Sequence, residues 1–461
     1  MTRNVRRKVE RYDGSAVTIS APDSRTLVVG LGVTGVATAR YLAARDVDVT
    51  VIDNRSTPPG LAELRDSHPD VPVILESEDS RWLDGVDQVV LSPGLALDTP
   101  IAAKARQMGI PVIGDIELFA RAVPGPVLAV TGSNGKSTVV TLLEQMLSAT
   151  GLDVAAGGNL GPPALQLLEE SADLYLLEIS SFQLETTHAL MPDAAVVLNV
   201  SPDHLDRHGS MAEYTAVKAK LLRASNTAVV NWDDPLVREM SRSHPRVIPY
   251  SLQEVPANGY GIVEHEGERW FAGDKKPLLP VSAMRLPGSH NESNALAALA
   301  LSSVLKRDLA SQLKVLEQFS GLPHRCQWVG EKEGVTFIND SKGTNVAASV
   351  AALEGLKGPF VLIAGGQSKG ADFNALASSA RGRLLGAVLI GEAAEKLETA
   401  LSSSCPTRMA ANLAAAVELA WAFATPGATI LLSPACASLD MFADYAERGE
   451  AYIGAVHRFL Q

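Results

Sequence analysis

The chain contains the segment Pro126-Val-Leu-Ala-Val-Thr-Gly-Ser-Asn-Gly-Lys-Ser-Thr138, in which a short apolar run leads into a glycine loop. The apolar run predicts a buried strand, and the periodic pattern that follows, to about Ala149, predicts a helix. In such a loop, small residues let backbone N–H groups approach phosphate oxygens, Lys136 supplies positive charge, and the Ser137 hydroxyl can bind Mg²⁺. Val130 stands where the common GxxxxGK[ST] pattern has its first glycine. We therefore predict a phosphate-binding loop, with a tight turn and an incidental lysine as the alternative.

A second pattern of strand, glycine turn and helix lies earlier in the chain. The run Thr26-Leu-Val-Val-Gly-Leu-Gly32 precedes a helical pattern, and Gly30-Leu-Gly32-Val-Thr-Gly35 matches GxGxxG. The next predicted strand, Val49-Thr-Val-Ile-Asp53, ends close to the position of a carboxylate beside a ribose. The pattern predicts a nucleotide pyrophosphate on a helix N-terminus and suits a UDP-sugar as well as NAD. Glycines needed only for close packing of helix and strand are the alternative.

Polar side chains follow two further predicted strands. Glu178 follows the apolar run 174–177, and Asp203-His204 follows the run 194–198. Ligands of α/β proteins bind at the carboxyl ends of the strands, so these side chains are expected beside the phosphate loop. Because Mg²⁺ takes few carboxylates together with water and phosphate oxygens, we predict Glu178 and His204 as metal ligands. The alternative is that they are ordinary core or surface residues.

Apolar runs that alternate with helical patterns continue along the chain and predict mainly parallel sheets covered by helices. A length of 461 residues suggests three domains. We expect an α/β protein with an N-terminal Rossmann-like domain, a central P-loop ATPase domain with a mainly parallel sheet, and a C-terminal Rossmann-like domain. Short strands are expected in the stretch 247–287, which is rich in Pro, Gly and Tyr. The predicted boundaries are an N-terminal extension at 1–24 and domains at 25–114, 115–321 and 322–461.

Composition and charge restrict the class of protein. The formal charge of −12 and the pI near 5.3 argue against a general nucleic-acid-binding protein, since phosphate neutralisation needs a basic face. The cysteines, Cys326, Cys405 and Cys436, have no CxxC spacing, so neither a disulfide framework nor a zinc site is favoured. The longest nearly apolar stretch, 295–305, is shorter than the roughly 18 residues of a membrane span. No apolar segment follows the basic N-terminus. We expect a soluble cytoplasmic protein.

The motifs together resemble those of the Mur ligase family. The four that carry the resemblance are Thr131-Gly-Ser-Asn-Gly-Lys-Ser-Thr138, Glu178-Ile-Ser-Ser-Phe-Gln-Leu-Glu185, Asn199-Val-Ser-Pro-Asp-His204 and Tyr214-Thr-Ala-Val-Lys218. Further stretches narrow it to the branch that adds D-glutamate: Asp53-Asn-Arg-Ser-Thr-Pro-Pro-Gly60, Ser92-Pro-Gly94, Gly114-Asp-Ile-Glu-Leu-Phe119, Gly321-Leu-Pro-His-Arg325 and Ser433-Pro-Ala-Cys-Ala-Ser-Leu-Asp440. The resemblance covers the chain from about residue 25 to its C-terminus.

The resemblance implies a reaction in two steps. ATP phosphorylates the carboxylate of UDP-N-acetylmuramoyl-L-alanine with release of ADP, and the amine of D-glutamate then attacks the acyl phosphate with release of phosphate. It also implies two Mg²⁺ ions, for which Mn²⁺ can substitute, and a monomeric enzyme of cytoplasmic peptidoglycan precursor synthesis. The motifs fit, because a carboxylate is a poor electrophile until phosphorylation supplies a leaving group, and the phosphate charge needs Lys136 and a metal ion.

The resemblance assigns roles by motif position, and it assigns the UDP substrate to 25–114, ATP to 115–321, and the amino acid and closure over ATP to 322–461. The expected ATP-binding residues are Gly132, Ser133, Asn134, Gly135, Lys136, Ser137, Thr138, Asn291, Arg325 and Asp340, the last three around the adenosine. The expected UDP-substrate residues are Val33, Thr34, Asp53, Arg55, Gly94, Asn159 and Gln183. The expected amino-acid pocket comprises Lys342, Thr344, Lys369, Ser438, Leu439 and Tyr445. The expected catalytic residues are Lys136, Glu178, His204 and Lys218, and the expected metal ligands are Ser137, Glu178, His204 and Lys218 as its carbamate with CO₂.

Other functions stay open at this point. A nicotinamide-dependent dehydrogenase would explain Gly30 to Gly35 and Asp53 but not the Lys136 loop, and it would bind NADH without other substrates. A related amide ligase, either another Mur ligase or a folylpolyglutamate synthetase, would share the ATP domain, but the latter would not need the N-terminal nucleotide fold. A regulatory module would bind ATP and form no amide.

Overall fold

The computed structural model of the chain describes residues 24–286, 288–368 and 370–461. The predicted N-terminal extension up to residue 23 and Lys369 lie outside the described residues. The described residues form two compact units: an N-terminal unit (24–124, 163–169 and 186–190) and a C-terminal unit (125–162, 170–185 and 191–461). Within the described residues, no helix is both long and apolar enough to cross a membrane.

The N-terminal unit is built on a parallel sheet. Its strands are β1 (Arg25–Val29), β2 (Asp48–Ile52), β3 (Val73–Ile74), β4 (Gln88–Leu91) and β5 (Val112–Ile113). Its helices are α1 (Val33–Ala43), α2 (Leu61–Ser67), α3 (Pro100–Gln107) and α4 (Asp115–Ala122), with 3-10 turns at Ser80–Leu83 and Ala164–Leu168. The strand order β3-β2-β1-β4-β5 reverses direction beside β1, which opens a crevice at the carboxyl ends of β1 and β4. The predicted Rossmann-like fold is confirmed.

The C-terminal unit contains two sheets, of which the first carries the predicted phosphate loop. Its strands are β6 (Val127–Thr131), β7 (Val154–Gly158), β8 (Leu174–Glu178), β9 (Ala194–Val197), β10 (Ala228–Asn231), β11 (Val247–Ser251), β12 (Tyr260–His265), β13 (Glu268–Gly273) and β14 (Lys276–Pro280). The order is β14-β13-β12-β11-β10-β9-β6-β8-β7. The pairs from β7 to β12 are parallel, and β12, β13 and β14 form antiparallel hairpins.

Helices surround this first sheet and fix its strands. They are α5 (Lys136–Ser148), α6 (Ser181–Glu185), α7 (Leu205–His208), α8 (Met211–Ala224), α9 (Pro235–Met240), α10 (Ser289–Ser303) and α11 (Leu309–Gln318), with a 3-10 turn at Val281–Ala283. The strands β6, β8 and β9 are buried along their whole length, as continuous apolar runs predict for a sheet covered on both faces. Leu142, Leu143 and Met146 of α5 and Leu296 and Leu299 of α10 share one core with them. The rigid core holds the carboxyl ends of these strands, where the predicted site residues lie.

The second sheet of the C-terminal unit is also mainly parallel. Its strands are β15 (Gln327–Lys332), β16 (Val335–Asn339), β17 (Phe360–Gly365), β18 (Leu384–Ile390), β19 (Thr407–Met409) and β20 (Thr429–Leu432), in the order β15-β16-β20-β17-β18-β19. Its helices are α12 (Val346–Gly355), α13 (Asn374–Ala380), α14 (Ala394–Leu401), α15 (Leu413–Trp421) and α16 (Tyr445–Leu460). Only the edge pair β15–β16 is antiparallel among the described strands of this sheet. Each of the three sheets falls inside one predicted domain, while the domain boundaries themselves stay predictions.

Candidate active site

The predicted phosphate loop connects β6 to α5 and depends on glycine conformation. Gly135 has a φ of +85°, and a Cβ at this position would lie 2.5 Å from Oδ1 of Asn294. Lys136 turns back over the loop, because its Nζ donates to the carbonyl oxygens of Gly132 at 2.8 Å and Ser133 at 3.0 Å. The first N–H groups of a helix point out of its N-terminus, and in α5 no capping side chain accepts a hydrogen bond from them. This is the geometry with which a helix N-terminus receives an anion.

The loop is anchored to the segment after β9. The backbone N–H of Asn134 donates to Oδ1 of Asn199 at 2.9 Å, and Nδ2 of Asn199 donates to the carbonyl oxygen of Asn134 at 3.1 Å. The Ser133 hydroxyl lies 3.0 Å from the Tyr214 hydroxyl, and it accepts a bond from the backbone N–H of Ser201. These contacts fix the loop before any ligand enters, which lowers the cost of ordering it on binding.

A cluster of cations surrounds the loop. Burial lowers the pKa of Lys136, which also feels the negative charge of Glu178 and the positive charge of Arg325. Burial lowers the pKa of Lys342 to about 8, and the charges of Arg325 and Lys136 act in the same direction. The Arg325 guanidinium donates from Nη2 to Oγ of Ser137 at 2.7 Å. Concentrated positive charge in a buried place suits a polyanion such as a triphosphate.

Glu178 is the last residue of β8, and one of its two carboxylate oxygens accepts no hydrogen bond. Nδ2 of Asn159 donates to its Oε1 at 2.7 Å, and the Asn159 backbone N–H donates to its carbonyl oxygen at 2.8 Å. Its other oxygen, Oε2, is buried and has no hydrogen-bond partner. Such an oxygen costs free energy unless a ligand satisfies it, so Glu178 fits a Mg²⁺ ligand. Among the described residues no three His, Cys, Asp or Glu side chains gather, so a metal here would need other oxygens.

Lys218 lies on α8 with its amine beside the loop. Its Nζ donates to the carbonyl oxygen of Gly132 at 3.0 Å, the same oxygen that Lys136 binds, and it lies 4.7 Å from the Tyr214 ring centre. Burial, and then the charge of Lys136, lower the pKa of Lys218 well below its ordinary value. Two ammonium groups on one carbonyl oxygen repel each other, which favours the neutral amine at Lys218.

His204 follows β9 and begins α7 in the left-handed conformation, with a φ of +53°. Its ring packs edge-on against Phe182 at 4.8 Å between ring centres, and Nε2 lies 3.6 Å from Oδ2 of Asp203. Half of its side chain is exposed, which leaves it accessible to a substrate. Gln183 lies on α6, where its Oε1 accepts bonds from the N–H and hydroxyl of Ser180.

A cavity of 370 Å³ brings the loop together with the predicted adenosine residues. It is lined by Asn134, Gly135 and Thr138 of the loop and by Asn291, Arg325, Asp340 and Lys342. Asp340 is held on both carboxylate oxygens, by the backbone N–H of Cys326 at 3.2 Å and by the Ser433 hydroxyl at 2.7 Å. Burial raises the pKa of Asp340 to about 6.

Four of the predicted amino-acid residues, Lys342, Thr344, Ser438 and Leu439, lie on loops at the carboxyl ends of β16 and β20, and Tyr445 is the first residue of α16. Nζ of Lys342 lies 3.7 Å from the centre of the Tyr445 ring, and the Thr344 N–H donates to the carbonyl oxygen of Lys342 at 2.7 Å. Ser438, which is buried, and Leu439, which is exposed, follow β20. The structure therefore brings Lys342 and Tyr445 into contact and places the other two on the loop after a neighbouring strand.

The N-terminal unit has its own cavity, of 450 Å³, at the crevice predicted from its strand order. Five of the residues predicted to bind the UDP substrate line it: Val33, Thr34, Asp53, Arg55 and Gly94. The two others, Asn159 and Gln183, belong to the C-terminal unit, Asn159 beside Glu178 and Gln183 on α6.

Asp53 uses its carboxylate within the protein. Its Oδ2 accepts from the Leu31 N–H and from Nη2 of Arg55, both at 2.7 Å, and its Oδ1 accepts from the backbone N–H and Nε of Arg55. The hydrogen bonds from the Arg55 side chain lower the pKa of Asp53 to about 2. The carboxylate thus holds the glycine turn and aims the half-exposed Arg55, a cation suited to a pyrophosphate.

Family models match three consecutive parts of the chain. The Mur ligase MurD-like N-terminal domain matches residues 24–114, the Mur ligase middle domain matches 130–302, and the Mur ligase glutamate ligase domain matches 324–436. Together they account for most of the described sequence. The chain belongs to the Mur ligase family.

Curated relatives of this Mur ligase are similar over nearly their whole length. The UDP-N-acetylmuramoylalanine–D-glutamate ligase of Nitrosococcus oceani is 47% identical over 94% of this chain and 97% of its own. The enzyme of the same name from Legionella pneumophila strain Paris is 44% identical over 93% of this chain and 98% of its own. The resemblance inferred from the motifs is confirmed.

Solved structures of more distant Mur ligases share the fold. A pseudomurein peptide ligase type C from Methanothermus fervidus has a TM-score of 0.60 at 19% identity and covers 95% of this chain and 100% of its own. The UDP-N-acetylmuramate–alanine ligase MurC of Thermotoga maritima has a TM-score of 0.59 at 19% identity, with coverages of 94% and 99%. At this identity the likeness bears on the fold alone.

One buried cation of this Mur ligase was not singled out from the sequence. Arg448 of α16 is fully buried and donates to the carbonyl oxygens of Ser341, Gly365 and Cys436 and to the Ser341 hydroxyl. These acceptors lie after β16, at the end of β17 and after β20, so one guanidinium ties together three segments near the predicted amino-acid residues. A signal existed, because Arg448 interrupts the buried stripe of α16 that continues to Tyr452.

Proposed function

We propose that this Mur ligase joins D-glutamate to the carboxylate of UDP-N-acetylmuramoyl-L-alanine in an ATP-consuming reaction of peptidoglycan precursor synthesis. The observation that carries the proposal is the 47% identity to a ligase of that name over nearly the full length of both chains. The phosphate loop, the oxygen of Glu178 and the cation cluster supply the chemistry such a reaction needs. Because its nucleotide substrates are cytoplasmic, we assign the enzyme to the cytoplasm.

The phosphates of ATP are proposed to bind at the N-terminus of α5. The loop N–H groups and Lys136 would contact the β- and γ-phosphates. Arg325 was predicted around the adenosine, but its hydrogen bond to Ser137 supports a place beside the phosphates as well. In the first step a carboxylate oxygen of the substrate bonds to the γ-phosphorus, and the bond to the ADP oxygen breaks. Positive groups fixed in place before the reaction stabilise the charge that spreads over the transferred phosphoryl oxygens.

Mg²⁺ is the proposed metal, held by Ser137, Glu178, His204 and Lys218. When bound, it would neutralise phosphate charge and polarise the transferred group. The buried Oε2 of Glu178 supports a metal ligand at this position. The buried Lys218 amine, with its lowered pKa, supports the carbamate form, since only a neutral amine captures CO₂ and the anionic product offers hard oxygens.

In the second step the neutral amine of D-glutamate attacks the acyl phosphate carbon, the C–O bond to phosphate breaks, and a proton leaves the new amide nitrogen. Lys342, next to Tyr445, supplies a cation for a carboxylate of the incoming amino acid. Thr344, Ser438 and Leu439 would shape the rest of that pocket, and Lys369 is proposed with them from its motif. The UDP portion would bind the cavity of the N-terminal unit through Arg55, which Asp53 orients.

The test is a phosphate-release assay with mass detection of the product. The chain is incubated with ATP, Mg²⁺ and UDP-N-acetylmuramoyl-L-alanine, and D-glutamate, L-glutamate, D-alanine or L-alanine is added singly. We expect release only with D-glutamate, together with a product heavier by one glutamyl residue. Release with another amino acid and none with D-glutamate would instead identify a related ligase of different specificity.

A further inference from the structure

The turn that carries Arg325 has an unusual backbone. His324 has a φ of +63° and Cys326 a φ of +47°, so two non-glycine residues in the left-handed region flank Arg325. Such a backbone conformation costs free energy in non-glycine residues and persists only where the surroundings hold it. The contacts of this turn therefore determine where the Arg325 guanidinium lies, which is against Ser137 of the phosphate loop.

The segment at the end of β16 holds both sides of the turn, through Asn339 on His324 and Asp340 on Cys326, and Cys326 has a further contact on α10. The backbone N–H of His324 donates to Oε1 of Gln327 at 2.8 Å, a contact within the same strand region. Cys326 is held from two directions, by Oδ1 of Asp340 on its backbone N–H and by Nε2 of His290, 3.7 Å from its Sγ. His290 lies on α10, which packs in the layer of the first sheet, so the thiol contact ties the turn to that layer in addition to the hydrogen bond between Arg325 and Ser137.

The His290 ring itself has little freedom. A Cβ at Gly355, the last residue of α12, would lie 2.4 Å from its Nδ1, and a Cβ at Gly288 would lie 2.9 Å from Cε1. Burial lowers the pKa of His290 to about 4 and raises that of Cys326 well above its ordinary value, so both groups are neutral at neutral pH. The neutral His290 ring is therefore held in place, and the Cys326 thiol packs against it.

We infer that His290 and Cys326 are positioning residues for Arg325: their contact fixes the turn so that the guanidinium faces the phosphate loop. The inference rests on the proposed function, in which that loop binds ATP. Neither residue was assigned a role from the motifs. Both also line the 370 Å³ cavity, so direct contact with the nucleotide is the competing explanation that the experiment must separate.

The experiment measures the Kd of ADP by calorimetry for Cys326→Ala and His290→Ala, alone, together and with Arg325→Met. If the pair acts through Arg325, we expect each single variant to raise the Kd of ADP about five- to twentyfold. The Kd of the double variant should be no higher than that of the single variant that binds less tightly, since the effects of two substitutions in one contact do not add. In the Arg325→Met background, Cys326→Ala should change the Kd less than about twofold. The conservative Cys326→Ser should stay within about threefold of wild type, because a hydroxyl keeps the polar contact.

Cys405→Ala is the matched control, since Cys405 is also buried in the same apolar core of the C-terminal unit, but it lies between α14 and β19 and does not line the 370 Å³ cavity. It should bind ADP as wild type does. An unchanged Kd in folded Cys326→Ala would overturn the inference, and so would a full loss that persists in the Arg325→Met background. Failure of the wild-type chain to bind ADP would overturn the proposed function instead, which keeps the two outcomes apart. If His290→Ala does not fold, the cysteine variants alone decide.

Discussion

Lys136 and Lys218 both donate to the carbonyl oxygen of Gly132, yet we expect their substitution by alanine to affect activity in different ways. For Lys136→Ala the loop N–H groups remain, but the charge facing the transferred phosphoryl group is lost. We expect kcat to fall by about three orders of magnitude or more, with the fold intact. Lys276→Ala, an exposed lysine on β14, is the control and should be fully active. Near-normal phosphate release by folded Lys136→Ala would contradict the assignment.

We expect a small carboxylic acid in solution to restore part of the activity that is lost when Lys218 is replaced. Lys218→Ala should be nearly inactive, and formate or acetate should restore part of the activity, because a small carboxylate can place oxygens where the carbamate would be. The measurement is phosphate release against carboxylate concentration. Lys220→Ala, on the exposed face of the same helix, should be active and insensitive to carboxylate. Full activity of Lys218→Ala without added carboxylate would rule the carbamate out.

Asp340 is expected to make stability depend on pH. Because burial raises its folded pKa to about 6, against an unfolded value near 3.8, the unfolded chain releases this proton first as the pH rises. Stability contributed at this site therefore falls between pH 4 and 6 and is level above it. In Asp340→Asn this fall should be absent, a difference from wild type of up to about 3 kcal/mol in urea unfolding. The buried His290 titrates in the same window with opposite sign, but it is present in both proteins and cancels. Parallel pH profiles for the two proteins would contradict the prediction.

The loops after β16, β17 and β20 depend on one side chain of α16. Arg448→Met would leave the carbonyl oxygens of Ser341, Gly365 and Cys436 without a donor in a buried place, at a cost of about 2 to 4 kcal/mol. We also expect the KM for D-glutamate to rise more than the KM for ATP, since these loops carry the residues proposed to bind the amino acid. Arg458→Met, an exposed arginine near the end of the same helix, should change neither. Equal increases in both KM values would show a general loss of packing instead.

Individual elements differ in how well the sequence predicts them. Strands that are buried on both faces, such as β6, β8 and β9, appear as continuous apolar runs and lie within a residue or so of their predicted positions. Glu178 was expected to follow its strand and is the strand's last residue. The hairpins β12 to β14 could be predicted only as short strands, because their pairing depends on turns and edge contacts that leave no apolar run. The antiparallel edge β15–β16 was missed for the same reason.

The two units carry separate parts of the proposed reaction, and this separation is testable. Arg55 lines the cavity of the N-terminal unit, whereas the phosphate loop belongs to the C-terminal unit. Arg55→Ala should raise the KM for the UDP substrate about tenfold or more, because a charge-assisted contact to phosphate is lost, and should leave the KM for ATP within about twofold. Arg65→Ala, exposed on α2, is the control and should change neither. Equal increases in both KM values would contradict the separation.

Contacts between distant parts of the chain set the limit of what the sequence can predict. The motifs nominated Arg325 and Ser137, but their hydrogen bond joins residues 188 positions apart. Likewise Asp53 was expected beside a ribose, while the structure shows its carboxylate engaged by Leu31 and Arg55. Motif spacing identifies the side chains that carry chemistry. The hydrogen bonds between those side chains depend on tertiary packing, which the spacing does not contain.

All three cysteines, Cys326, Cys405 and Cys436, are buried, and burial raises the pKa of each thiol, to about 11 for Cys405 and about 12 for Cys436. Maleimides and related reagents attack the thiolate, which is scarce at these positions, and less than a tenth of each side chain is exposed, that of Cys326 at the 370 Å³ cavity. We therefore expect the native thiols to react little with cysteine-directed fluorescent labels. A single cysteine introduced on an exposed helix would accept a dye selectively, without prior removal of the natural thiols.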